Sequence, residues 1–206
     1  MLRTSYFSHN AARSTHTYPT SGARGASDAQ YAVRNTQYAV RSMKIIIIGL
    51  GNPILTDDGV GVKVAYAVRD ALASAARNGV TVTEASVGGL RLMEMMEGYD
   101  RVILVDAIQT ADGQPGTIYR LTLDDIASAV PTQHSASAHD MNLPTAMEMG
   151  RCLGMALPAS VEIFAIEALD VVTFGETCTP HVTAAIPAVT ELVLETLTQL
   201  LAQAES

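Results

Sequence analysis

MKIIIIGLGNPILTDDGVG, Met43 to Gly61, decides the fold. Lys44 to Ile48 is a short β-branched apolar run, the pattern of a strand in the middle of a sheet covered on both faces. Gly49 and Gly51 let the backbone turn where a Cβ would clash. Asp57 and Asp58 follow, where an N-cap or first-turn acid belongs. The apolar-periodic run Val60, Val62, Val64, Ala65, Val68 then predicts a helix over roughly 59–76. Ligands of open α/β sheets bind at the carboxyl ends of the strands. The two acids are therefore either caps or chemistry.

Outward from this stretch the pattern alternates. Strands are expected over 80–85, 101–106, 117–121 (at or near an edge) and 160–166, with helices over 90–97, 124–129, 142–154 and 183–203. Pro187 would fall in the first turn of the last helix, where proline is tolerated best. The expectation is an α/β domain in three layers: a mostly parallel twisted sheet with helices on both faces. Met93, Met95, Met96, Met141, Met147 and Met149 read as core filler, or as a soft groove for an apolar peptide.

The first 42 residues belong to a different composition. Five arginines stand against Asp28, a net +4, which leaves −12 from Met43 onward out of an overall −8. A near tandem repeat, Gln30-Tyr-Ala-Val-Arg-Asn and Gln37-Tyr-Ala-Val-Arg-Ser, precedes Met43. We read this segment as a disordered extension produced by a start codon set too early. A transit peptide is the alternative.

An acidic domain argues against a nucleic-acid surface. Cys152 and Cys178 form no CxxC pair, so a soluble protein of a reducing compartment, the cytoplasm, is expected. No apolar run reaches the ~20 residues of a membrane span. GLGNP lacks a dinucleotide fingerprint: Ile54 occupies the third glycine position and Pro53 breaks the helix start. The same letters open bacterial peptidyl-tRNA hydrolases, but no histidine follows the turn here, and the charge is wrong for tRNA.

Asp106 ends an otherwise aliphatic strand and is expected at the same sheet edge as Asp57 and Asp58. His139 sits in the loop Ser135-Ala-Ser-Ala-His-Asp140 before a helix. Each has a bland reading: a strand-end acid ties down the next loop, and His134, His139 and His181 are surface histidines. Convergence of two carboxylates and an imidazole would instead form a three-ligand metal site with an open position.

The chain resembles the hydrogenase maturation proteases, which remove a C-terminal extension from the large-subunit precursor of nickel–iron hydrogenases. The matching stretches are Gly49 to Gly61, Ser86-Val-Gly-Gly-Leu90, Val105-Asp-Ala107, Ser137-Ala-His-Asp140 and Phe174-Gly-Glu with Thr179-Pro-His181, in order across nearly all of Met43 to Leu201. The resemblance implies that Asp58, Asp106 and His139 contact the metal, and that the metal is nickel already held by the precursor. Asp58 is the shorter of the two acids used at its position. The ligand set alone would equally admit zinc. Either the metal acts as Lewis acid or Asp57 acts as general base. Gly88 and Gly89 are expected to hold the extended substrate tail on backbone donors, with an ordinary βα turn as the alternative. The expected partner is the precursor, with no nucleic acid and no membrane, and the protease is expected to be a monomer. A module that docks nickel precursor without cutting it is the competing function.

Overall fold

The computed structural model describes residues 42–73, 78–128 and 143–204. The expectations for residues 1–41 and for the loop carrying His134, His139 and Met141 lie outside that range. In chain order the elements are β1 (Ile45–Leu50), α1 (Val60–Leu72), β2 (Val80–Ala85), α2 (Gly89–Met96), β3 (Arg101–Ile108) and β4 (Ile118–Thr122). Then come α3 (Leu123–Ser128), α4 (Leu143–Cys152), β5 (Ser160–Glu167) and α5 (Pro180–Ala204).

The sheet runs β2-β1-β3-β5-β4. Its first four strands are parallel, and β4 pairs antiparallel with β5 at the edge. Alternation along each strand explains the three layers. Ile45, Ile47, Ile103, Val105, Phe164 and Ile166 face α1 and α5. Ile46, Ile48, Val102, Leu104, Val161 and Ile163 face α2 and α4. A strand covered on both sides has no solvated face, which is why β1 opens on four consecutive isoleucines and is buried throughout. Met93, Met96 and Met147 are buried under α2 and α4, as filler should be, whereas Met149 is half-exposed.

Because β1 pairs with β2 on one side and β3 on the other, the chain leaves it in opposite directions. The switch point therefore lies at the carboxyl ends of β1 and β3. α1 closes on that point at very short range. A Cβ on Gly61 would stand 2.3 Å from the carbonyl oxygens of both Leu50 and Val105. At Gly51, φ is +125° and a Cβ would meet the Asp58 carbonyl oxygen. Glycine is required at both places, and together they pack the loop holding Asp57 and Asp58 onto the strand ends.

The helix expected over 59–76 ends at Leu72 and the one expected over 142–154 ends at Cys152, and two further boundaries differ with consequences for the site. β3 continues to Ile108, so Asp106 lies within the strand, in register with Ala165 of β5. The last helix begins at Pro180 rather than 183, because proline suits the first helical position and the Thr179 carbonyl accepts the N–H of Thr183 at 2.8 Å. Pro187 is therefore inside the helix, where it removes the bond to the Thr183 carbonyl. At 25 residues α5 is also long and apolar enough to cross a membrane by length and composition. Its Val182, Val189, Val193 and Leu197 are instead buried against α1 and the sheet.

Candidate active site

Asp57 and Asp58 are not caps. The residue preceding α1 is Gly59, no side chain caps the helix, and its first turn carries no acid. Both carboxylates are thus available for other work, and the structure gives them different work.

Asp57 is fully buried. Its Oδ2 accepts the N–H of Leu169 at 3.0 Å, the N–H of Asp170 at 3.0 Å and the hydroxyl of Thr179 at 2.9 Å. Its Oδ1 accepts the Thr179 N–H at 2.6 Å. Four donors occupy the carboxylate, so it acts as a clamp between the β1–α1 loop and the segment joining β5 to α5. A general base needs a lone pair facing substrate, and this arrangement commits those lone pairs to the protein.

Asp58 is half-buried, and its Oδ2 accepts the Asn52 N–H at 2.6 Å. Asp106 is buried, and its Oδ1 accepts the Ala107 N–H at 2.9 Å. Asp58 stands two residues before the α1 start that packs on Leu50 and Val105, and Asp106 follows Val105. The glycine contact therefore delivers both acids to the switch point. Alternation along β3 places Asp106 on the α2/α4 face.

Gly88 and Gly89 lie on the same edge, one strand away. The Ser86 hydroxyl donates to the Gly51 carbonyl at 2.7 Å, and the Gly51 N–H donates to Ala85 at 3.1 Å, so the β2–α2 loop abuts the glycine turn. Gly88 is extended and precedes α2, whose first residue Gly89 has φ +55°. His181 is exposed in the first turn of α5, and its carbonyl lies against Gly116. His139 and His134 lie outside the described residues. Among the described residues no three His, Cys, Asp or Glu side chains gather as a metal site.

Glu167, at the end of β5, escaped sequence reasoning. It is buried on the same sheet face as Asp106, and its carboxylate accepts the N–H and hydroxyl of Thr110 at 2.7 and 3.0 Å. It ties down the β3–β4 loop, where a Cβ on Gly113 would run into the carboxylate. The local signal is weak: β5, SVEIFAIE, carries a second acid, Glu162, and nothing near Glu167 in sequence marks it as the buried one.

Both cysteines are free. Burial pushes the Cys178 thiol up; Lys63 opposes this less strongly, and Asp57 adds to it. The thiol donates to the Thr56 carbonyl at 3.3 Å. It keeps its proton at neutral pH and is no nucleophile. Iodoacetamide at pH 7 is expected to alkylate exposed Cys152 and to spare Cys178, as peptide mass mapping would show. Rapid labelling of Cys178 in the folded protein would contradict this.

The comparisons with known proteins agree with this architecture. A family model described as HycI, hydrogenase maturation protease, matches residues 72–196. The hydrogenase 2 maturation protease of Escherichia coli K12 is 24% identical over 160 residues, covering 78% of this chain and 90% of the relative. The HupD hydrogenase expression/formation protein of Rhizobium leguminosarum bv. viciae is 26% identical over 154 residues, covering 75% and 74%. In fold, the chain is similar to the maturating endopeptidase HybD of E. coli, with a TM-score of 0.62 at 24% identity over 76% of this chain and 93% of that one. It is also similar to HybD of Thermococcus kodakarensis, with a TM-score of 0.57 at 22% identity over 75% and 99%. With the family model spanning more than half of its length, the chain belongs to the hydrogenase maturation protease family and is a peptidase.

Proposed function

We propose that this peptidase removes the C-terminal extension of a nickel–iron hydrogenase large-subunit precursor after nickel insertion, and that it reads the bound nickel. The observation that carries this reading is the delivery of Asp58 and Asp106 to one switch point by the contact of Gly61 with the ends of β1 and β3. His139 supplies the third ligand. It precedes Leu143 by four residues, and Leu143 is buried at the start of α4 on the face that Asp106 shares. Four residues reach at most about 14 Å, which suits a contact at that edge.

In this mechanism the nickel is substrate rather than resident cofactor. Asp58, Asp106 and His139 complete its coordination, which holds the precursor and admits only charged precursor. Carboxylate and imidazole donors suit nickel. Held there, the metal would supply Lewis acidity toward a carbonyl or a water, while Asp58, Asp106 and His139 position it. Asp57 keeps Asp58 in place, and Gly88 and Gly89 offer backbone donors to the substrate tail. Two free cysteines suit an enzyme of a reducing compartment such as the cytoplasm.

The test is to incubate the protein with nickel-loaded and nickel-free precursor and follow intact mass. Trimming of the loaded form alone is expected. An intact, stable complex without trimming would instead identify a docking chaperone, and equal trimming of both forms would remove nickel from recognition.

A further inference from the structure

We propose that the two segments tied together by Asp57 form a rigid apolar ridge on which the precursor protein docks, outside the groups that read the metal. This deepens the processing reading and rests on it. Four large apolar side chains stand out here: Ile54 is 50% exposed, Leu169 59%, Val172 78% and Phe174 79%. Large apolar side chains left exposed on two paired segments mark a candidate interaction surface.

These side chains are held outward by a backbone that is fixed. Leu55 and Phe174 form an antiparallel bridge. The Thr56 N–H and hydroxyl both donate to the Thr173 carbonyl, at 3.1 and 2.6 Å, and the Gly175 N–H donates to Ile54 at 3.0 Å. Asp170 Oδ1 accepts the N–H groups of Val172 and Thr173 at 3.0 and 2.9 Å. A ridge already ordered loses little conformational freedom when a partner binds.

Size and charge select the occupant. Four side chains are far fewer than the roughly 20–30 residues a side that a stable complex buries. Two copies of a domain at −12 from Met43 onward would repel each other. A second copy is therefore disfavoured, and a transient partner with apolar side chains flanked by basic ones is favoured. The ridge is continuous with the candidate site, because Ile54 lies between Asn52 and Asp58, and Leu169 donates to Asp57. A protein seated there has its nickel site within reach of Asp58. The occupant is the precursor.

The test uses the full chain with Val172 and Phe174 both replaced by Ser, assayed on nickel-loaded precursor. KM is expected to rise about tenfold or more with kcat within about twofold, and the Kd for precursor should rise in parallel. Phe174→Leu should recover most of the affinity. Leu153→Ser, at a position 72% exposed just beyond α4, should change neither constant. An unchanged KM and Kd in the double variant would overturn the ridge. So would a wild-type dimer in sedimentation that the double variant dissolves, since the occupant would then be a second copy. Wild type that binds precursor without cutting it would remove the processing reading alone, and Kd would still decide the ridge.

Discussion

Replacing Asp57 with Ala is expected to lower the melting temperature by roughly 8–16 °C. The substitution leaves the N–H groups of Leu169, Asp170 and Thr179 and the Thr179 hydroxyl without their acceptor, at a position closed to solvent. Each unsatisfied buried group costs about 1–3 kcal/mol, and water entering the vacated space recovers part of it, so a loss of about 4 kcal/mol is reasonable. In a domain of this size that corresponds to about 2–4 °C per kcal/mol. Asp57→Asn should fall between wild type and Ala. Its oxygen can serve the three donors at Oδ2, but its amide then faces the Thr179 N–H across the 2.6 Å now spanned by a hydrogen bond. A melt of the Ala variant within about 2 °C of wild type would show that the clamp does not hold the fold.

The largest effect on activity is expected from Asp58→Asn and Asp106→Asn, each losing at least about 100-fold in kcat/KM on nickel-loaded precursor. These variants are chosen to spare the fold. An amide oxygen can still accept the Asn52 N–H at position 58 and the Ala107 N–H at position 106. What disappears is the negative charge and, with it, a competent metal donor, worth about 1.4 kcal/mol for every tenfold lost. His139→Ala should lose tight binding of charged precursor as well. An imidazole ligand must be neutral, so affinity in the wild type should fall as pH drops through about 6.5 and proton competes with metal. The His139→Ala variant should lack that step. Wild-type processing by Asp58→Asn would place nickel recognition elsewhere on the protein.

How far the sequence could be read depends on how local each determinant is. The isoleucine run of β1, the aliphatic β3 and the β-branched starts of the βαβ units identified a doubly wound sheet without further help, because a two-sided burial pattern is written in consecutive residues. The family's motif order pointed to Asp58, Asp106 and His139; the structure describes the first two at one edge, and the third lies outside the described residues. The division of labour between Asp57 and Asp58 was not legible. Thr-Asp-Asp-Gly offers no local reason to bury one acid, and the donors that do so come from residues 112 to 122 positions away. Glu167 escaped for the same reason, since its partner Thr110 is 57 residues distant. The last helix starts at Pro180 rather than 183 because proline chemistry overrode periodicity there.

The long-range closure at Asp57 also sets an order of events during synthesis. A nascent chain that has delivered β1, α1, β2 and β3 can pair those strands. Its buried acid, however, has no donors until residues 169, 170 and 179 have been made and have folded back across the sheet. Loop closure over more than a hundred residues is slow and entropically costly, so it comes late. Asp58 inherits that delay through its neighbour. The loop that carries both acids is therefore completed only by the segment that leads into the last helix, so the amino-terminal half of the domain cannot assemble it alone.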